Sequence, residues 1–160
     1  MSDALPTGYI MRPPTIDDLP AIVAIEAEAF ADPWASHLYL QELDQPLRFQ
    51  RVVVSDTGFV VAYLFAIWQF DELHILKVAT HPIYAGRQIA TTLLAAARDE
   101  VELSQGRGLL LEVRPSNYRA IQLYHRIGYH TIGRRPGYYV NGEDALVMQF
   151  ELQLAAAQAP

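Results

Sequence analysis

Hydrophobic positions along the chain change period several times, and each change predicts an element. Tyr9–Arg12 reads as a short strand ended by Pro13-Pro14. Thr15, with Asp18 three residues on, forms a helix start akin to a capping box. Leu19, Ile22, Val23, Ala27 and Phe30 then recur at helical spacing. Pro33 interrupts, and Trp34–Leu43 reads as a second helix. Phe49–Val54, the turn Ser55-Asp56-Thr57-Gly58 and Phe59–Phe70 read as strand, turn, strand, followed by a strand Leu73–Thr80 closed by His81-Pro82. Ile89, Leu93, Leu94, Ala97 and Val101 make one apolar helical stripe, expected to stop near Gly106 and Gly108. Leu109–Arg114 is a strongly apolar strand. Ser116 or Asn117 caps a helix running to Ile127, stopped by Gly128, and Tyr129–Arg135 and Ala145–Leu152 close the chain as strands. The order is mixed α/β, with strand–helix–strand units in the middle and hairpins outside. Such sheets take ligands beyond the carboxyl ends of their strands.

Length and composition narrow this picture. The 160 residues suit one domain, expected over residues 1–152, with the Ala/Gln-rich 153–160 as a fraying tail. Cysteine is absent, so no disulfide framework, thiolate metal site or cysteine nucleophile is expected. No run is long and apolar enough to span a bilayer, and the first residues lack a secretory pattern, so the reading is a cytoplasmic protein without membrane partners. The net charge of −6 argues against general nucleic-acid binding. That charge is uneven: residues 1–86 hold 4 Lys+Arg against 11 Asp+Glu, whereas residues 87–135 hold 8 Arg against 4 Asp+Glu. An arginine-rich segment suits a phosphate-bearing ligand, and an acidic one a cationic substrate; ordinary surface charge explains both equally simply.

Three segments carry candidate chemistry. Val78–Thr91 is strand, tight loop and helix start. Its free helical N–H groups suit a phosphate, with Arg87 adding charge, although any strand–turn–helix offers as much, and neither GxxxxGK[ST] nor GxGxxG is present. Glu112 lies in an apolar run, where a carboxylate must be paired or have its pKa raised. The alternatives are a general base and a structural ion pair with Arg114 on the same strand face. Asn117 and Tyr124, seven residues apart, share a helix face; Tyr124 reads equally as a core tyrosine with its hydroxyl at the rim. The five histidines, His37, His74, His81, His125 and His130, are dispersed without metal-ligand spacing, so no metal is expected. No GxSxG supports serine-hydrolase chemistry.

The run Leu111-Glu112-Val113-Arg114-Pro115-Ser116-Asn117, then Ala120-Ile121, Leu123-Tyr124 and Ile127-Gly128-Tyr129, closely resembles the LEVR.SN..AI.LY...GF signature of GNAT N-terminal acetyltransferases. The resemblance is to the bacterial ribosomal-protein alanine N-acetyltransferase (RimI-like) branch. Tyr138-Tyr139 and Gly142–Met148 resemble that branch's YY…GEDAL.M ending, and Pro33-Trp34-Ala35-Ser36 with Glu42-Leu43 is similar to its PWS…EL segment. The resemblance implies a GNAT fold: an α/β (α+β mixed), mostly antiparallel sheet of about six to seven strands flanked by about four helices.

It also implies roles. Backbone groups of Val78, Ala79 and Thr80 would pair with the pantetheine arm of acetyl-CoA. The loop Gly86, Arg87, Gln88, Ile89, Ala90 and Thr91 would hold the pyrophosphate, and Asn117 would touch the cofactor. Glu112 would accept a proton from the amine, Tyr124 would protonate the leaving thiolate, and an N–H near Val78 would face the developing oxyanion. Trp34, Tyr138 and Tyr139 would contact a protein or peptide N-terminus; for Trp34 a core anchor between two helices is the alternative. The chain departs from the family's Q/R-x-x-G-x-G/A loop at two positions, with Ala85 first and Gln88 where the central glycine stands. Two rival functions therefore stay open: acetylation of a small amine, and a CoA-binding protein whose turnover is weakened by Gln88. The protein acetylated, the turnover rate and the oligomeric state are left open.

Overall fold

The computed structural model describes residues 4–152; the tail expected at 153–160 lies outside them. Seven strands and four α-helices follow in chain order. They are β1 (Ile10–Arg12), α1 (Leu19–Ala29), α2 (Ser36–Leu43), β2 (Arg48–Val54), β3 (Val60–Gln69), β4 (Glu72–Thr80), α3 (Ile89–Leu103), β5 (Gly108–Val113), α4 (Tyr118–Arg126), β6 (His130–Arg135) and β7 (Ala145–Glu151). The sheet order is β1-β2-β3-β4-β5-β7-β6. The β1–β2, β2–β3, β5–β7 and β6–β7 pairs are antiparallel, and β4–β5 is parallel, with α3 as the crossover between them. The expected mixed, mostly antiparallel sheet and helix count are thus what the chain forms.

The residues fall into two compact units, one comprising the chain up to Ile67 with Lys77–Ala96, the other Trp68–Leu76 with Ala97 onward. In the first, the expected capping box is present around a short 3-10 turn, Ile16–Asp18, rather than directly at α1. The Thr15 N–H donates to Asp18 at 2.7 Å, and the Arg12 guanidinium grips both oxygens of Asp18 at 2.7 and 2.9 Å. That guanidinium holds the Asp18 carboxyl below the usual carboxylate range. Pro20 follows in the first turn of α1, where its missing N–H costs nothing. The core of this unit packs Ile22 and Ile25 of α1 and Tyr39 of α2 on Val52, Val54, Tyr63, Phe65 and Ala79, with Trp34 and Phe30 partly buried against it.

At its centre sits a charge. Glu26 is fully buried, and its carboxylate accepts from the Tyr39 hydroxyl at 2.6 Å, the Tyr63 hydroxyl and the Trp34 N–H at 2.8 Å. The Lys77 ammonium completes the shell at 3.1 Å and lies over the Phe30 and Trp34 rings at 4.1 and 5.3 Å. Burial and the adjoining carboxylate push both phenols well above the ordinary tyrosine range, so they stay protonated donors.

In the second unit, four of the six residues of β5 are buried and the other two, Leu110 and Glu112, are half-buried, in keeping with its apolar run. The apolar stripe of α3 is buried from Ile89 to Val101. The helix ends at Leu103, and the left-handed residue after it is Gln105 (φ 57) rather than either glycine. Gly106 is small for a packing reason: a Cβ there would stand 2.8 Å from a Val101 methyl and 3.0 Å from both the Asp71 carbonyl and the Trp68 ring. Asn117, not Ser116, caps α4, its Oδ1 accepting the Ala120 N–H at 3.2 Å.

Candidate active site

The first part of β4 pairs with β5, from Glu72↔Gly108 to Ile75↔Leu111, within the second unit; its last residues, to Thr80, belong to the first unit. Val78, Ala79 and Thr80 are the last three residues of β4, in the first unit. His81 ends the strand, its Nδ1 capping the short turn Pro82–Tyr84 through the Ile83 N–H at 3.2 Å. The loop then uses two left-handed residues, Gly86 (φ 80) and Gln88 (φ 60). Gln88 thus adopts the conformation that glycine takes freely, at a cost of about 1 kcal/mol or more for a residue with a Cβ. Its carbonyl accepts the Thr92 N–H at 3.0 Å and the Thr92 hydroxyl at 2.8 Å, so α3 begins properly, and the N–H groups of Ile89, Ala90 and Thr91 lie in its first turn, where a helix supplies no acceptor of its own. The loop's exposed backbone, positive helix end and neighbouring cation fit a pyrophosphate. Arg87 does not reach out alone: its guanidinium bonds the Tyr9 hydroxyl at 3.1 Å and stacks on Tyr84 at 5.1 Å. Trp34 is half-buried, 5.1 Å from the Tyr39 ring, with its backbone tied to Glu26; in the structure it has the contacts of a core anchor.

In the second unit, Glu112 stands on β5 with a side chain 9% exposed. Its Oε2 lies 2.6 Å from Nε2 of His74 on β4, and its Oε1 lies 3.6 Å from the Arg135 guanidinium on β6. The His74 Nδ1 is buried without a partner among the described residues. The carboxylate is therefore paired rather than bare: one partner comes from the neighbouring strand β4 and the other from β6, two strands away across β7. Sequence reasoning missed His74 and Arg135 as site residues, because no spacing in the chain joins positions on three different strands.

Tyr124 on α4 is 8% exposed, its ring 5.8 Å from Tyr129. Burial, and then the nearby Tyr139 phenol, push it well above the usual tyrosine range. Tyr138 is raised too, first by burial and then by Glu112, with Arg135 opposing. Tyr138 and Tyr139 lie side by side in the segment 136–144. The two tyrosine rings are 5.0 Å apart and nearly perpendicular.

Asn117 has given its Oδ1 to the cap of α4, which leaves its Nδ2 for a ligand. The arginine excess read from the sequence is largely engaged in ion pairs: Arg98 with Glu102, Arg107 with Asp71 and Glu72, Arg114 with Glu143, Arg134 with Asp144, and Arg135 with Glu112. Surface charge, not a general phosphate-binding face, is what most of it represents. Among the described residues no helix is long and apolar enough to cross a membrane, and no group of three or more His, Cys, Asp or Glu could hold a metal ion.

Comparison with known proteins adds an independent line. The pattern of the Acetyltransferase (GNAT) family matches residues 19–129. The chain is 31% identical over 140 residues to the ribosomal protein bS18-alanine N-acetyltransferase of Escherichia coli (strain K12), covering 86% of this chain and 93% of that one. It is 33% identical over 144 residues to a Bacillus subtilis (strain 168) protein provisionally named for the same activity, covering 89% and 95%. The crystal structure of the Escherichia coli ribosomal-protein-S18-alanine N-acetyltransferase superposes with a TM-score of 0.85 at 28% identity, over 95% of this chain and 99% of that one.

Proposed function

The chain belongs to the GNAT acetyltransferase family, and from that premise we propose that it transfers an acetyl group from acetyl-CoA to the α-amine of a protein or peptide, with a ribosomal protein as the natural acceptor class. The observation that carries the chemistry is the Glu112 carboxylate, 9% exposed and held by His74 at 2.6 Å. The acceptor class rests on the near full-length similarity to the bS18-alanine acetyltransferases.

Acetyl-CoA, when bound, supplies a thioester carbonyl open to attack by an amine. The strand end Val78–Thr80 offers its backbone to the pantetheine arm, the N–H groups of Gly86–Thr91 take the pyrophosphate, and Asn117 offers Nδ2. An α-amine has a pKa of about 7.7–8.0, so at neutral pH most of it arrives protonated and a base must free its lone pair. Glu112 accepts that proton. His74 fixes the carboxylate through one oxygen and leaves the other turned toward Arg135 and the acceptor. A lysine side chain, at about 10.4, is a much harder proton to remove, which favours N-termini. The Val78 N–H supplies a donor toward the negative charge that develops on the acyl oxygen. Tyr124, kept protonated by its burial, donates a hydrogen bond to the departing sulfur.

Mass spectrometry of a peptide panel incubated with acetyl-CoA tests the reading. Acetylation at the N-terminal nitrogen of Ala-starting peptides is expected; acetylation of polyamines in preference to every peptide would replace it with the small-amine function. Tyr124→Phe removes one hydroxyl and is expected to lower turnover about ten- to a hundredfold, the worth of a hydrogen bond to a charged group, with peptide affinity unchanged in single-turnover assays. An unchanged chemical step would return Tyr124 to the core.

Gln88→Gly is expected to tighten acetyl-CoA binding by about tenfold or less, near 1.4 kcal/mol, because it relieves the left-handed strain and lets the backbone approach the phosphates. Titration calorimetry on both proteins reads this. Binding seen only after the substitution would show that the native loop excludes the cofactor.

A further inference from the structure

Two residues of the motifs quoted above, Arg114 of Leu111–Arg114 and Glu143 of Gly142-Glu143-Asp144, have no part in the chemistry above, yet the fold brings them together. The Arg114 guanidinium, just past the end of β5, bonds Asn141 Oδ1 at 3.1 Å and Glu143 Oε1 at 3.2 Å through one nitrogen, and its central carbon lies over the Tyr139 ring, 3.9 Å from the centroid. Glu143 Oε2 accepts the Ser116 N–H at 3.0 Å, just before α4. The turn closes on itself: the Tyr139 N–H donates to the Glu143 carbonyl at 3.0 Å and the Gly142 N–H to the Tyr139 carbonyl at 2.9 Å. At the base, Asp144 takes Arg134 at 2.9 Å and the Gly137 N–H at 2.9 Å. Arg114 and Glu143 are mostly shielded, with side chains 17% and 23% exposed.

We propose that Arg114 and Glu143 are positioning residues for acceptor recognition: together they clamp segment 136–144 so that Tyr138 and Tyr139 are presented, already ordered, to the incoming N-terminus. This rests on the reading of those tyrosines as acceptor contacts. The physical reason is preorganisation. A nine-residue segment left to itself would lose conformational freedom each time an acceptor bound, and one ordered beforehand does not. A planar guanidinium suits the task because it stacks on a ring and donates in its own plane at once; an ammonium does only the second. The clamp touches no reacting atom, so it governs acceptor affinity and leaves the chemical step alone.

Two measurements on the full chain test this. In hydrogen–deuterium exchange without any substrate, Arg114→Met and Glu143→Gln are each expected to raise exchange of residues 137–144 by about tenfold, with the rest of the protein unchanged. In steady-state assays with an Ala-starting peptide, each is expected to raise the peptide KM about tenfold, with kcat within about threefold and the acetyl-CoA KM unmoved. Arg114→Lys should restore only part of the loss, and the double variant should be little worse than either single one, since both break one clamp. Unchanged exchange in the segment, a general loss of protection, or a fall in kcat at constant KM would each overturn the proposal. If the unmodified protein acetylates no peptide, the peptide reading fails by itself, and the same KM comparison with spermidine as acceptor still decides whether the clamp positions it.

Discussion

Glu112→Gln is expected to lower turnover at neutral pH by about two orders of magnitude or more, the usual consequence of removing a general base, while the fold and acetyl-CoA binding persist. Glutamine matches the side chain in shape and can still meet His74 and Arg135, whose contacts at 2.6 and 3.6 Å define the carboxylate's setting. What it cannot do is accept a proton. The deficit should narrow as the pH rises past the acceptor's own pKa of about 7.7–8.0, since the amine then arrives as free base. A stopped assay of acetyl transfer across pH 6 to 9.5, with binding of acetyl-CoA measured separately, reads both features. Near-normal turnover of the variant at neutral pH would make Glu112 a structural partner of His74 and Arg135 and nothing more.

The second large effect concerns stability. Glu26→Leu is expected to destabilise the fold by about 3–5 kcal/mol, the range for breaking a buried ion pair at one end. It strands the Lys77 ammonium, 3.1 Å away and mostly shielded, and takes the acceptor from the Tyr39 hydroxyl, the Tyr63 hydroxyl and the Trp34 N–H together. With a thermal sensitivity of about 2–4 °C per kcal/mol for a chain near this size, the midpoint should fall by roughly 10 °C. Adding Lys77→Met to Glu26→Leu should recover part of that loss, because paired removal of a buried charge and its partner is far cheaper than orphaning one. Calorimetry of the single and double variants decides it. A single variant within about 0.5 kcal/mol of the parent would mean that the cluster is hydrated and adds little.

Local patterns in the chain announced the elements well, because what they depend on is local. Apolar spacing at Ile89–Val101 settles a helix face, and an Asn before a polar-led turn settles a cap, whatever the rest of the chain does. Two details of backbone conformation have reasons that are not local. Gly106 looked like a helix stop by type, whereas its smallness answers to Trp68, Asp71 and Val101 packed around it, and the stop conformation went to Gln105. The left-handed Gln88 likewise carries no signature in its own side chain; only the resemblance marked the position as one where glycine is usual. At the site, a carboxylate in an apolar strand was legible as something needing a partner, but the partner was not. His74 and Arg135 lie 38 residues before Glu112 and on the far side of α4 from it, and only the sheet order brings β4, β5 and β6 within reach of one side chain. The Glu26 cluster was invisible for the same reason, its members being scattered over two helices, the loop between them and two strands.

That cluster also bears on the order in which the chain folds. Its hydrogen bonds span 8, 13 and 37 residues, all ending on one carboxylate. A carboxylate gives up its water only when replacement donors are in place, since an unpaired charge in an apolar setting is prohibitively unfavourable. Trp34 and Tyr39 are close in sequence and can assemble early, but Tyr63 waits on β3 and Lys77 on β4. The last water therefore leaves Glu26 only after the central strands have docked, and this hub is expected to close late in folding. Interactions made that late retard escape from the folded state rather than hasten entry into it. The buried acid is thus expected to act as a latch, with Glu26→Leu speeding unfolding far more than it slows folding.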